Sequence, residues 1–128
     1  LLSADVRIGA QGPFKITANE VAIGLTMPHA AIVLCRHRLT PAAFNRAMVV
    51  AEVSSPDAAA AAGFLDRVVP AADLLETARE TAAAVSQLDM GAHAATKLRA
   101  RQDVLEELRD AIEADAAALH ARSGAAPD

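Results

Sequence analysis

Residues 14–39 constrain the fold of this chain more than any other stretch. A single carboxylate, Glu20, stands directly before an apolar segment, Val21–Leu25, in which large residues alternate with small ones. This alternation predicts that the segment is buried. Pro28 then stands where a proline opens a helix, and most of the residues that follow are apolar. The stretch therefore predicts a loop that carries one carboxylate into a buried part of the protein.

Glu20 is the candidate for proton chemistry. A carboxylate among apolar neighbours loses solvation, which favours exchange of its proton near neutral pH. The alternative is an ordinary loop glutamate that caps the following helix, because carboxylates in such settings also have structural roles. Spacing along the chain leaves both interpretations open.

Turn and capping residues divide the first half of the chain into short elements. Alternation and turn chemistry predict strands at Asp5–Ala10, Phe14–Ile16 and Phe64–Val69. The opening strand is expected to have no partner within the chain. A proline at the first helical position predicts three helices: Pro28–Arg38, Thr40 to about Val50, and Ser55 to Gly63. In the second and third, a capping Thr or Ser precedes the proline. The first helix is apolar nearly all round, so we expect it to be buried or to line a ligand cavity.

Beyond Pro70 the apolar pattern is helical throughout. It predicts two amphipathic helices, which Gly91 is expected to separate, and the second is expected to end near Gly124. One face of the second helix is apolar and carries Leu98, Leu105, Leu108, Ile112, Ala116 and Leu119. Another subunit or the first half of the chain is needed to cover these faces. We therefore divide the chain into residues 1–69 and 70–128.

Composition and charge exclude several classes of protein. Hydrophobic residues make up 53% of the chain, which excludes disorder, and a net charge of −4 argues against a nucleic-acid partner. No apolar run approaches the roughly 20 residues that a membrane span needs. Cys35 is the single cysteine and is expected to be a packed small hydrophobe, which fits a reducing, cytoplasmic compartment. The histidines show no metal-ligand spacing, so no metal is expected.

Four segments, in this order and spacing, resemble the enoyl-CoA hydratase/isomerase (crotonase) family: Ala4–Ala10, Phe14–Ile16, Asn19–Leu25 and Ala62–Pro70. The resemblance covers nearly the whole chain, but only the C-terminal half of a family member. It implies an α/β fold in which residues 1–69 form the last part of a crotonase-like (ClpP/crotonase) spiral β/α core. Residues 70–128 would be the C-terminal trimerisation helices. Since the chain opens without an initiator Met, we expect it to be a fragment.

The resemblance also implies an activity. In this family two backbone N–H groups hold the thioester oxygen of acyl-CoA and stabilise an enolate. Hydratases use two glutamates, and isomerases often use only the one that matches Glu20; the other groups precede Leu1. The implied reaction is hydration of a 2-enoyl-CoA or migration of its double bond, with Glu20 as acid/base. A non-catalytic acyl-CoA-binding protein and a pure assembly module are the alternatives. Coenzyme A thioester is the substrate, no cofactor is expected, and the protein is expected to be a homo-trimer or hexamer.

Three further residues, Pro28, His29 and Lys97, are candidates for substrate binding. Family members usually carry a glycine-rich turn after this proline, whereas His29 and alanines follow here, which points to a narrower subgroup. His29 is either a general acid or polar lining group, or a residue that only hydrogen-bonds locally. Lys97, with Arg99 and Arg101, is either part of a solvated face or matches the family's basic residue that reaches the phosphates of CoA.

Overall fold

The computed structural model describes residues 1–123, in which a small sheet lies among helices. Its strands are β1 (Ile8–Ala10) and β2 (Arg67–Val69). Its α-helices are α1 (His29–Arg38), α2 (Pro41–Val50), α3 (Pro56–Ala62), α4 (Leu74–Ser86), α5 (Met90–Ala100) and α6 (Gln102–Ser123). Single turns of 3₁₀-helix lie at Val21–Ile23 and Ala71–Asp73. Gly124, near which the last helix was expected to end, lies outside the described residues.

The opening strand has a partner in the chain, contrary to expectation. β1 pairs with β2 in parallel, with Ile8 opposite Arg67 and Ala10 opposite Val69. A parallel pair needs a crossover, and the helices between the two strands provide it. An ion pair joins the residues just before the two strands: the Arg7 guanidinium donates to both oxygens of Asp66 at 3.0 and 2.5 Å. Arg7 also donates to the carbonyl of Gly63 at 2.6 Å.

One predicted strand, Phe14–Ile16, is largely absent, and another, Phe64–Val69, is confirmed only over its second half as β2. Within Phe14–Ile16 only Ile16 pairs, through an isolated antiparallel bridge to Ser54. Phe64 and Leu65 lie in the hydrophobic core and precede the strand that begins at Arg67. Ile16, Phe64 and Leu65 pack in or against the hydrophobic core, and the apolar pattern of so short a run does not distinguish a strand from a packed loop.

The three predicted helices of the first half are confirmed, each to within about one residue. Thr40 caps α2, since its hydroxyl accepts from the Ala43 N–H at 3.3 Å, and Ser55 caps α3 in the same way. Gly63 ends α3 in the left-handed conformation, with φ 101°. The core forms where α1, α2 and α3 meet, and its buried members are Met27, Cys35, Leu39, Ala43, Ala47, Met48, Ala59, Ala62, Phe64 and Leu65.

The helices after Pro70 break at other places than expected. Gly91 lies inside α5, and the preceding break spans residues 87–89, where Asp89 caps α5 by accepting from the Ala92 N–H at 2.8 Å. A second break at Arg101 separates α5 from α6, so Leu98 does not belong to the last helix. α6 packs antiparallel against α1, since the start of α1 contacts Asp115 while its end lies beside residues 101–108. Helices from both sides of Pro70 therefore pack together.

Candidate active site

Glu20 lies at the start of the 3₁₀ turn, with its backbone and side chain in different roles. Its carbonyl oxygen accepts from the Ile23 N–H at 3.1 Å and from the Leu25 N–H at 2.8 Å, which holds the turn in place. The side chain makes no capping hydrogen bond. One carboxylate oxygen, Oε2, is buried and accepts no hydrogen bond from the described residues. A buried acceptor without a donor is costly, so this one needs an explanation outside local capping.

The thiol of Cys35, on the buried face of α1, lies within electrostatic reach of Glu20. Burial raises the pKa of Cys35, and the negative charge of Glu20 raises it further. A thiol with a raised pKa stays protonated near neutral pH and is a poor nucleophile. The expectation that Cys35 is a packed small hydrophobe is therefore confirmed. It forms part of the apolar wall beside the carboxylate.

The segment after Glu20 is exposed, which corrects the prediction that residues 21–25 are buried. Val21 is 46%, Ile23 62% and Leu25 53% exposed in this chain. The 3₁₀ turn replaces the alternating extended conformation and presents these side chains outward. Val49, Val50 and Val53, at and after the end of α2, are exposed as well. Because α2 contacts the 3₁₀ turn, an exposed apolar surface adjoins the partly buried carboxylate.

Pro28 and His29 lie together at the start of α1. Pro28 is the exposed residue before the helix and brings no side-chain acceptor to cap it. Asp115 of α6 takes that role, accepting from the backbone N–H of His29 at 2.9 Å and of Ala30 at 3.0 Å. The His29 ring is 64% exposed, and its Nδ1 lies 2.9 Å from the same carboxylate. The ring thus bonds to a residue far away in the sequence, and not to a local partner.

Lys97 lies in the last turn of α5, and the structure does not bring it to His29. The Lys97 ammonium donates to Asp5 at 2.7 Å, and Arg101 donates to the other oxygen of Asp5 at 2.6 Å. The Lys97 hydrogen bond is the largest cause of a lowered Asp5 pKa. Lys97 borders a cleft of about 490 Å³ with Leu88, Ala92 and Ala100 on its apolar side. His29 instead contacts Asp115 of α6, which lies roughly 20 Å along the helix from Arg101.

Sequence reasoning missed Asp5 and Asp115 as members of these arrangements. Asp115 follows Leu108 and Ala111 on the face of α6 that packs toward α1, so it is a carboxylate on an otherwise apolar stripe. A charged residue at such a position is rare unless it is paired. That break in the pattern was the available signal. Asp5 gave none, because an aspartate next to a short strand is ordinary.

Two structural features are absent from residues 1–123, a cluster of metal-binding side chains and a membrane-spanning helix. No group of His, Cys, Asp and Glu side chains within this range could hold a metal ion. Nor is any helix there both long enough and apolar enough to span a bilayer.

Comparisons with known proteins point to one family. A family model described as enoyl-CoA hydratase/isomerase matches residues 1–125. An enoyl-CoA hydratase/isomerase family protein from Pseudomonas syringae has a similar structure, with 51% identity, a TM-score of 0.87, and 89% of this chain and 50% of that chain covered. An enoyl-CoA hydratase from Mycobacterium marinum is 40% identical, with a TM-score of 0.86 and 91% and 52% covered.

A more distant similarity reaches a human protein. The human mitochondrial delta3-delta2-enoyl-CoA isomerase is 27% identical, with a TM-score of 0.81, and 89% of this chain and 45% of that chain covered. A search of curated proteins found no match. By the coverages given above, this chain spans about half the length of the solved chains it resembles.

Proposed function

Because this chain belongs to the enoyl-CoA hydratase/isomerase family, we propose that the complete protein acts on acyl-CoA thioesters with Glu20 as its acid/base group. The reaction is hydration of a 2-enoyl-CoA or migration of its double bond; the similar structures include proteins named for each reaction. The expected α/β crotonase fold is confirmed by the structural similarity, and this chain contributes a mostly helical part of it with a small sheet.

The observation that carries the proposal is the buried oxygen of Glu20. Oε2 has no donor among the described residues, so a ligand or a transferred proton can complete its bonding. In an enolate mechanism the carboxylate accepts a proton from a carbon next to the thioester, or returns one to it. A positioned carboxylate of this kind typically accelerates such a step by about two to four orders of magnitude.

Other residues support binding in this proposal. The exposed apolar side chains of residues 21–25 adjoin Glu20 and offer a surface for an acyl chain. Pro28 sets the start of α1, and His29 is a polar lining group there. Lys97 reaches the phosphates of CoA, and Asp5 keeps Arg101 as a partner when Lys97 leaves it. Coenzyme A thioester is the substrate without a further cofactor, and the protein is a cytoplasmic homo-trimer or hexamer.

The test is Glu20→Gln in the complete protein. The amide keeps the shape of the side chain but cannot accept the proton, so turnover of a panel of enoyl-CoAs should fall by about 10²- to 10⁴-fold. Affinity for the same thioesters, measured by calorimetry, should change little. Glu113→Gln, an exposed change on α6, is the matched control and should keep full turnover.

Two outcomes would redirect the proposal. A Glu20→Gln variant as active as the wild type removes Glu20 from the acid/base role. A wild type that binds acyl-CoA tightly without turning over any member of the panel favours the non-catalytic acyl-CoA-binding protein.

A further inference from the structure

Asp115 joins α6 to the first two residues of α1 through three contacts. Its Oδ1 accepts from the backbone N–H of His29 at 2.9 Å and lies 2.9 Å from the Nδ1 of the His29 ring. Its Oδ2 accepts from the N–H of Ala30 at 3.0 Å. The two backbone contacts suffice to cap the helix, so capping alone does not account for the contact with the ring.

The contact with the ring decides which imidazole nitrogen carries the proton. The pKa of Asp115 is lowered, first by the N–H of Ala30 and then by the N–H and ring of His29, so the carboxylate is ionised near neutral pH. An ionised carboxylate can only accept hydrogen bonds. Nδ1 must therefore be the donor, which leaves Nε2 of the neutral ring with a free lone pair.

Exposure of the ring leaves that lone pair available. The His29 side chain is 64% exposed in this chain, although its Nδ1 is held by a carboxylate. A surface histidine without such a partner rotates freely and samples both tautomers. Here one nitrogen is held in place, and the ring lies nine residues after Glu20, at the end of the same connecting segment.

We propose that Asp115 is a positioning residue for His29. It holds the ring so that Nε2 faces outward as a hydrogen-bond acceptor for an N–H or O–H donor of bound acyl-CoA. The identity of the ligand rests on the proposed function, whereas the positioning of the ring does not. The arrangement makes a residue of the last helix part of the ligand site at the start of α1.

The tautomer of His29 is the first readout, and it needs no activity. In the complete protein at alkaline pH, where an imidazole carries a single proton, nitrogen NMR should show a protonated Nδ1 and an unprotonated Nε2. Asp115→Ala should shift the ring to a mixture dominated by protonated Nε2, while Asp110→Ala, on an exposed position of the same helix, should leave it unchanged. If Asp115→Ala does not fold, Asp115→Asn retains a capping oxygen and should give an intermediate population. An unchanged tautomer in the folded variant overturns the proposal.

A double-mutant cycle is the second readout, with crotonyl-CoA as the probe. His29→Ala and Asp115→Ala should each weaken its binding by about fivefold, the usual size of one lost hydrogen bond. The double variant should be no weaker than either single one, because both act through one contact. Independent losses that multiply to about 25-fold, or a silent His29→Ala, overturn the ligand contact. A wild type that binds no crotonyl-CoA contradicts the proposed function, while the NMR readout still decides the positioning.

Discussion

Single charged residues hold distant parts of this chain together. Asp5 accepts from Lys97 and Arg101, and Asp66 accepts from Arg7, which is 6% exposed. Each pair joins residues that lie more than fifty positions apart in the sequence. The Lys97 pair is solvent-accessible and can exchange its partner, whereas the Arg7 pair is built into the start of the sheet. Substitutions in the two pairs are therefore expected to have different effects: on ligand affinity at Lys97, and on stability at Asp66.

Lys97→Ala should affect affinity for the nucleotide part of CoA. A lysine that contacts a phosphate makes a charge-assisted hydrogen bond, so its loss should weaken crotonyl-CoA binding by about three- to tenfold. Binding of a truncated crotonyl thioester without the nucleotide should not change. Arg99→Ala, in the same turn of α5, is the control. Equal losses for both ligands would place Lys97 away from the phosphates.

Asp66→Asn should lower stability and alter its dependence on pH. The side-chain hydrogen bond from Arg7 is the largest cause of a lowered Asp66 pKa. A lowered pKa stabilises the fold above the unfolded value of about 3.8 and loses that contribution as pH falls through the folded value. Because Asp66 is 40% exposed, solvent screens part of this contribution, so Asp66→Asn should cost about 1 kcal/mol at pH 7 and flatten the acid loss below about pH 5.

The Asp66 prediction is measured by urea unfolding between pH 7 and pH 3. Glu52→Gln breaks an exposed pair with Arg46 and is the control, with an expected change within about 0.5 kcal/mol. Parallel pH profiles for wild type and Asp66→Asn would show that the carboxylate does not titrate against Arg7.

At the scale of elements, the free N–H groups at a helix start are capped either by the residue directly before the helix or by a residue far away in the sequence. α2 and α3 use Thr40 and Ser55, the residues directly before them. α1 begins after a proline without an acceptor side chain and takes Asp115 as its cap instead. The end of α3 approaches another segment closely, because Gly63 adopts φ 101° where the chain passes the end of α1.

Gly63→Ala should destabilise the fold strongly. A Cβ at this position would lie 2.4 Å from the carbonyl oxygen of Arg38, and the positive φ adds strain. The two effects together predict a loss of about 2 to 4 kcal/mol in the free energy of unfolding. Ala61→Gly, on the exposed side of the same helix, should cost about 1 kcal/mol or less. Equal stability of Gly63→Ala and wild type in denaturant titrations would mean that the contact with Arg38 relaxes freely.

For the molecule as a whole, exposed apolar surface is the main feature. One part surrounds the 3₁₀ turn after Glu20, and another lies along α5 and α6, where Leu98, Ile112 and Leu119 are exposed. Surfaces of this kind mark places where other protein packs. The 128 residues alone should therefore associate or require a complementary segment. A monodisperse monomer that melts cooperatively in sedimentation and calorimetry would contradict this.

Of the residues on the predicted apolar face of the last helix, Ile112 is available for a subunit interface and Leu108 is not. Leu108 is half-buried and lines a small cleft with Leu34 of α1, whereas Ile112 is 54% exposed. If α6 forms the subunit interface, Ile112→Asp should lower the oligomer mass of the complete protein, because a charge in a dry interface is costly. Leu108→Asp should instead lower the stability of the subunit. Light scattering that shows an unchanged mass for folded Ile112→Asp would place the interface elsewhere.

The sequence by itself determined the features that depend on near neighbours. Thr40 and Ser55 predicted their helices because a cap bonds an N–H only three residues away, and Met27, Met48 and Cys35 are packed as their types indicate. The resemblance to the family also lies in short segments whose order survives in the sequence, and it identified the loop that carries Glu20.

Tertiary structure alone decided what depends on contacts between distant residues. The pairing of β1 with β2 joins Ile8 to Arg67, and no local pattern carries that register. Residues 21–25 have the alternation of a buried strand, but the chain turns there and the side chains face outward. The cap of α1 comes from Asp115, eighty-five residues away from Ala30, because only the packing of α6 against α1 brings the carboxylate to the helix start. These features are set by which surfaces meet, and a sequence read residue by residue does not contain that geometry.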